Sequence, residues 1–272
     1  MRTIAHLSDL HFGRVDQAVL DPLRNCLAGL APHLIVISGD LTQRARSEQF
    51  EAAREYLDTL PQPQLVVPGN HDVPLYNVFK RFVNPLRNYR RYITGDLEPW
   101  FEDEEIAVAG INTARSLTFK DGRINEEQIA ALKEKFAALD NRIAKVVVTH
   151  HPFDLPEGTD ADHLVGRAAR AMEAFASCGA DILLSGHMHM SHAGNTAFRY
   201  ALKGYAALTF QAGTATSTRG RGESNSFNAI HIDGESVELE RYSWFPGNNE
   251  FAVTSRSAFE HKGDMWAEKV TA

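Results

Sequence analysis

The stretch ILLSGHMH, Ile182 to His189, sets the pattern for the rest of the chain: a short run suited to a buried strand, a glycine turn, then two histidines spaced two apart. Similar runs recur. Strands are expected at Thr3–Leu7, Leu34–Ser38, Leu65–Val67, Ile106–Ile111, Lys145–Thr149 and Ala206–Phe210, each short, apolar and bounded by turn signals. Helical spacing lies between them. Ser47 precedes Phe50, Ala53, Leu57 and Leu60, and a helix over Ala161–Cys178 is closed by Gly179. Asn125 and Gln128 form a capping box, with Ile124 placed to pack on Ile129. Phe227–Ile232 and Ser236–Tyr242 flank an Asp233-Gly234 turn and read as a hairpin. Strands alternating with helices predict a layered α/β fold. One domain is expected over residues 1–244, and residues 245–272, which lack a period, stand as an ordered tail, a lid or an oligomer contact.

Composition narrows the classes. Of 272 residues 43% are hydrophobic and 23% charged, enough for a buried core and contrary to disorder. A net charge of −7 disfavours nucleic acid and acidic membranes as partners, while a small anionic substrate needs only a locally positive pocket. Cys26 and Cys178 form no CxxC pair and read as reduced core residues. No apolar run approaches the ~20 residues needed to span a bilayer, and no signal peptide fits ahead of Asp9, so a cytoplasmic location is the default expectation.

The chemistry lies in the Asp, Asn and His residues that follow the strands. Asp9 and His11 follow the first, Asp40 the second, Asn70 and His71 the third, His150 the strand through Thr149, and His187 and His189 the strand quoted above. Singly these are weak signals: a GD dipeptide is usually a turn, and an exposed His pair can equally be solvated. Together, on strand ends that converge at one sheet edge, they point to a metal site. Gathering carboxylates and imidazoles without a cation would be costly in desolvation and repulsion. Asp/Asn/His donors with no thiolate suit Mn, Fe or Zn and not a structural zinc site.

The set DLH (Asp9–His11), GD (Gly39, Asp40), GNHD (Gly69–Asp72), THH (Thr149–His151) and GHMH (Gly186–His189) resembles the calcineurin-like metallophosphoesterase superfamily across residues 1 to about 232. The opening IAHLSDLHFG and SGDLT are similar to its compact bacterial branch, which includes class III cyclic-nucleotide phosphodiesterases. The resemblance implies a four-layer α-β-β-α sandwich, two mixed sheets flanked by helices, around two divalent or trivalent ions. Asp9, His11 and His189 would hold the first ion, Asn70, His150 and His187 the second, and Asp40 would bridge them. His150 rather than His151 is taken as the ligand, since the family ligand is the first His after the strand and alternation lets only one of the two face the site. Gln43 and Ala45 stand where that branch commonly has an acidic residue and a glycine, which leaves the cyclic-nucleotide substrate open. No Tyr occupies position 43, so a purple acid phosphatase is not implied.

The implied reaction is hydrolysis of a small-molecule phosphodiester by a hydroxide shared between ions ~3.5–4 Å apart, with His71 over the leaving group as general acid or charge stabiliser. Asp72 either orients His71 or serves the turn. Substrate contacts are expected from Arg44, which matches the phosphate-binding Arg of the GDxxDRG motif, from Arg115, and from Arg219 in the Thr216–Ser226 loop with Arg221. Val73–Gly95 carries five basic residues and no acidic one; it either lines the pocket or is a solvated helix. The alternatives are a nuclease of the same superfamily and a scaffold that has lost its metals.

Overall fold

The computed structural model describes residues 1–75, 78–116, 121–219, 222–262 and 265–269. In chain order they form β1 (Arg2–Leu7), α1 (Gln17–Leu30), β2 (Leu34–Ile37), α2 (Ser47–Asp58), β3 (Gln64–Val66), α3 (Val78–Val83), α4 (Arg87–Tyr92), β4 (Trp100–Glu102), β5 (Ile106–Gly110), α5 (Glu126–Ala137), β6 (Ala144–Val148), α6 (Ala168–Cys178), β7 (Ile182–Ser185), β8 (His192–Asn195), β9 (Leu208–Gln211), β10 (Ser226–Asp233), β11 (Ser236–Phe245), β12 (Glu250–Lys262) and β13 (Met265–Glu268). One sheet runs β13-β12-β11-β10-β1-β2-β3, the other β4-β5-β6-β7-β9-β8.

Alternation along each strand sets the layers. In β2, Leu34 and Val36 face the space between the sheets, and Ile35 and Ile37 face the outer helices. In β6, Val146 and Val148 point inward and Val147 outward. Both faces are apolar because both are covered. The outer face of the first sheet packs on Val19, Leu23 and Leu27 of α1 and on Phe50, Ala53 and Leu57 of α2. That of the second packs on Ile129, Leu132 and Phe136 of α5 and on Met172 and Phe175 of α6. Each of the side chains larger than Ala53 contributes roughly 1.5–3 kcal/mol when fully buried. The result is the expected α-β-β-α sandwich of two mixed sheets.

The helix expected over Ala161–Cys178 begins only at Ala168. Ahead of it, Gly166 bridges Arg123 in parallel, Val165 donates to the Pro152 carbonyl, and Arg167 is left-handed at φ 69°. Those extended links hold the segment out of the helix although its apolar spacing allows one. Gly179 closes α6 at φ 69°, and Asn125 and Gln128 form their capping box. Beyond Phe245 the chain supplies β12 and β13 at the edge of the first sheet, with Phe259 and Trp266 in the core between the sheets. The basic stretch resolves into a solvated face of α4, with Arg87, Arg90 and Arg91 exposed, and a buried Arg81 that donates to the carbonyls of Ser116 and Pro74. Cys26 and Cys178 are free thiols.

His6, on β1, is wholly buried with its Nε2 against the Ser38 hydroxyl, 2.9 Å away. Burial pushes it down to about 3 from its ordinary value of 6.5. The folded chain therefore keeps His6 neutral where the unfolded chain takes up a proton, so its contribution is complete above pH 6.5 and is lost as pH falls toward 3. Between about pH 8 and 5 the loss is about 2 kcal/mol. Denaturant unfolding in chelator should show this acid weakening in the native sequence and a flatter profile in His6→Gln; equal slopes would remove His6 as its source.

Candidate metal centre

Strands β1, β2 and β3 run parallel, as do β5, β6, β7 and β9, and their C-terminal ends bring the conspicuous residues together across the sandwich. Asp9 and His11 leave β1 in left-handed and not extended backbone. Asp9, His11, Asp40, His187 and His189 all adopt φ between 50° and 72°. A non-glycine residue in the left-handed region costs of order 1 kcal/mol or more and persists only where its surroundings impose it. Five such residues in one pocket indicate a built site. The loops are fixed by the backbone: Asp9 N–H donates to the Gly39 carbonyl, His11 N–H to that of Asp40, and Gly186 N–H to that of His150.

Two groups of donor atoms result. In the first, Asp9 Oδ1 lies 3.2 Å from His189 Nε2 and 3.4 Å from His11 Nε2. His11 Nε2 is 3.3 Å from His189 Nε2 and 3.7 Å from Asp40 Oδ2. In the second, Asn70 Oδ1 stands 3.0 Å from His150 Nε2 and 3.1 Å from His187 Nδ1. His150 Nε2 is 3.3 Å from His187 Nδ1 and 3.4 Å from Asp40 Oδ1. Asp40 thus turns one oxygen to each group. Ligand atoms ~2.0–2.2 Å from a common ion stand roughly 3.0–3.5 Å apart, so both groups fit an ion. Asp9 Oδ1 and Asp40 Oδ2 are buried with no hydrogen-bond partner among the described residues, as donors directed at a cation would be.

Electrostatics agree. Burial alone would raise the Asp9 and Asp40 carboxyls, yet the surrounding imidazoles hold both below the usual carboxylate range. Burial disfavours a charged His150, but Asp40 outweighs it and lifts that ring to about 9. Burial, then the His150 charge, drives His187 down to about 3. A metal ion held there would favour the neutral form of His150.

His150 donates from Nδ1 to the Ser38 carbonyl at 2.8 Å, which leaves Nε2 free for a ligand. Alternation does not keep His151 from the site. His151 also approaches, its ring centroid 4.7 Å from that of His187, and its ring nitrogens stand close enough to His150 and His187 for the three to share an ion. The strand ends at Val148, so period-two alternation no longer governs these residues. The ring sits against the Thr113 hydroxyl, 2.8 Å from Nδ1. Apart from the HH doublet, no sequence signal marks it.

His71 stands beside this pair of groups, 5.0 Å from the His11 ring. Its Nδ1 is 3.0 Å from the Gln43 carbonyl, and its Nε2 accepts from Arg219 Nη1 at 3.0 Å. Nδ1 therefore carries the proton. Burial lowers its pKa and Arg219 adds to that. Asp72 does not orient this ring. It accepts from Leu41 N–H, Thr42 N–H, the Thr42 hydroxyl and Gly69 N–H, strapping the loop after β2 to the loop after β3. Burial nevertheless lifts its carboxyl to about 6. Arg219 is in the site. Arg44 is half-buried on the loop after β2, its N–H held by Gln49 Oε1. Arg115 instead donates to Gln128 Oε1 at 2.6 Å and to the Ala114 carbonyl, because the capping-box glutamine reaches it first. Arg221 lies outside the described residues.

Residues 2–191 match the family model described as calcineurin-like phosphoesterase. An uncharacterized Bacillus subtilis protein is 28% identical over 69% of this chain and 61% of its own length. A glycerophosphodiester phosphodiesterase of Enterobacter lignolyticus is 38% identical over 25% of this chain and 29% of its own. A probable cyclic nucleotide phosphodiesterase of Fibrobacter succinogenes is 25% identical over 55% of this chain and 56% of its own. The chain thus spans less than two thirds of the length of these relatives. Among solved structures, a dimetal phosphatase from Danio rerio superposes with TM-score 0.62 at 13% identity, covering 93% of this chain and 98% of that one. A purple acid phosphatase from yellow lupin gives 0.68 at 12% identity, over 94% and 53%. At these identities the two structures speak for the fold alone. No helix among the described residues is long and apolar enough to cross a membrane.

Proposed function

We propose that this chain, which belongs to the calcineurin-like phosphoesterase family, is a two-metal phosphodiesterase acting on small-molecule phosphodiesters. The observation that carries the reading is Asp40, whose two oxygens serve two separate donor groups. Asp9, His11 and His189 would hold one ion, Asn70, His150 and His187 the other, with Asp40 between them. The donor set suits Mn, Fe or Zn. Bound there, such ions supply Lewis acidity and an activated water.

The remaining work falls to the protein. Ser38 holds His150 in its ligand tautomer, and the Asp72 strap fixes the loops that carry Asp40 and Asn70. His71, with Nδ1–H directed at Gln43 and Nε2 on Arg219, stands neutral beside the leaving group; to act as general acid it would take a proton at Nε2 in place of the Arg219 contact and give that proton to the departing alkoxide. Arg219 brings a guanidinium to the same place. The diester preference draws on relatives named as glycerophosphodiester and cyclic nucleotide phosphodiesterases. The net charge of −7 weighs against a nuclease. Free thiols suit a reducing, cytoplasmic setting.

The test is a panel of bis(p-nitrophenyl) phosphate, p-nitrophenyl phosphate, and 3′,5′- and 2′,3′-cyclic nucleotides. Chelator-treated protein should be inactive and Mn should restore it, with the diester turned over faster than the monoester. His71→Ala should lower kcat about 100-fold with both ions retained. Loss of metal in step with rate would remove His71 from catalysis. Protein with less than one ion per chain, inactive with Mn, would instead be a scaffold.

A further inference from the structure

His71 is held at both ring nitrogens. Nδ1 lies 3.0 Å from the Gln43 carbonyl, and Nε2 lies 3.0 Å from Nη1 of Arg219. A guanidinium carries only donors and keeps its charge at any working pH, so Nε2 is the acceptor. That contact and the acid role of His71 exclude each other: with a proton on Nε2, two N–H groups and two positive charges would face across 3.0 Å. Before His71 can serve a leaving group, the guanidinium has to go elsewhere.

The backbone at Arg219 is fixed. Its N–H donates to the Ser217 hydroxyl at 3.1 Å, and its carbonyl accepts from His189 Nδ1 at 3.3 Å. On either side, Thr218 N–H donates to the Arg14 carbonyl, the Asn225 amide spans the carbonyls of Thr214 and Ser217, and Glu223 accepts the Ser191 N–H. The side chain is tied far less. It is half-buried, and among the described residues its guanidinium makes no hydrogen bond but the one to His71. A change of partner therefore needs only side-chain rotation, a motion of picoseconds to nanoseconds, with the loop and the His189 contact left in place.

A phosphodiester supplies what His71 cannot. Its non-bridging oxygens carry negative charge and match the planar fork in pairs, whereas a neutral imidazole takes a single N–H. Resting on the phosphodiesterase reading above, we propose that Arg219 is a phosphate-binding residue that exchanges partners: its guanidinium passes from His71 to the non-bridging oxygens of the scissile phosphate, and the exchange clears Nε2 of His71 to face the leaving group. One side chain thereby couples capture of the anion to the release of His71. An uncharged ester exerts no such pull on the guanidinium and leaves His71 occupied.

Zinc-loaded protein labelled with 15N at histidine tests the exchange in the native sequence. Saturating inorganic phosphate should carry the Nε2 resonance of His71, identified by its loss in His71→Ala, to the position it holds in Arg219→Ala without phosphate. A resonance that stays in place, or one that phosphate displaces equally in Arg219→Ala, overturns the inference. Calorimetry then separates the exchange from simple positioning of His71. Arg219→Ala keeps the carbonyl that holds His189, and it should weaken phosphate binding about tenfold or more, in the native background and in His71→Ala alike. An arginine that serves only to hold His71 would show no such loss in His71→Ala, and that result overturns the inference too. Protein that shows both changes yet hydrolyses neither bis(p-nitrophenyl) phosphate nor the cyclic nucleotides would sink the proposed activity and leave the exchange standing.

Discussion

Asp40→Asn is expected to abolish hydrolysis, by about 1,000-fold or more, and to leave no more than one ion per chain. The substitution preserves shape, so the expected loss is electrostatic. Asp40 is 1% exposed and receives the His71 N–H at Oδ1 from 2.8 Å, a bond that an amide oxygen can keep. An amide cannot present two negative oxygens to two donor groups. Its NH2 would meet either the imidazole nitrogens of one group or the cation itself. Metal-free stability should fall as well, because His150, lifted by Asp40, loses its buried partner. Stabilisation by added Mn, worth about 4 kcal/mol per ion at a thousandfold excess over Kd, should fall by at least the share of one ion. Melting curves with and without Mn, together with elemental analysis, separate these effects. A variant that keeps two ions and native turnover would refute the role of Asp40.

Much of this site was legible because its residues follow directly on strands whose apolar runs and glycines are strong local signals. Asp9, Asp40, Asn70, His150 and His187 each stand within a few residues of a strand end, and the sandwich brings those ends to one place. What could not be read depends on residues distant in sequence. The left-handed backbone at Asp9 and His11 follows from pairing with the loop after β2, and the Arg219 contact with His71 joins positions 148 apart. His151 was set aside by a rule that holds only inside a strand. Arg115 looked available because the reach of Gln128 into the same space is a tertiary fact. Likewise β12 is an edge-side strand with only Phe251 and Phe259 fully buried, so no alternation marks it, and the extended segment before α6 is imposed by Arg123 and its neighbours.

Gly69→Ala is expected to disable the centre without touching a donor atom. Gly69 has no need of a left-handed backbone; its constraint is approach. A Cβ there would stand 2.2 Å from Asp40 Oδ1 and 2.4 Å from the Asp40 backbone nitrogen. The first atom is the oxygen facing the second donor group, and the second is main chain that cannot rotate away. Relief requires the loops after β2 and β3 to part, against the Asp72 carboxylate that ties Gly69, Leu41 and Thr42 together. Overpacking of this kind typically costs 1–3 kcal/mol, and displacement by about 1 Å can cost 100-fold in rate. Both effects should appear together: a lower melting temperature in chelator, weak retention of the ion held by Asn70, His150 and His187, and turnover reduced at least 100-fold. The paired control is Gly95→Ala, where a Cβ meets nothing within 4 Å and little should change. If Gly69→Ala bound two ions with native affinity, the separation of Asp40 from Asn70 would not be what fixes the geometry of the centre, and the strap at Asp72 would have no functional consequence.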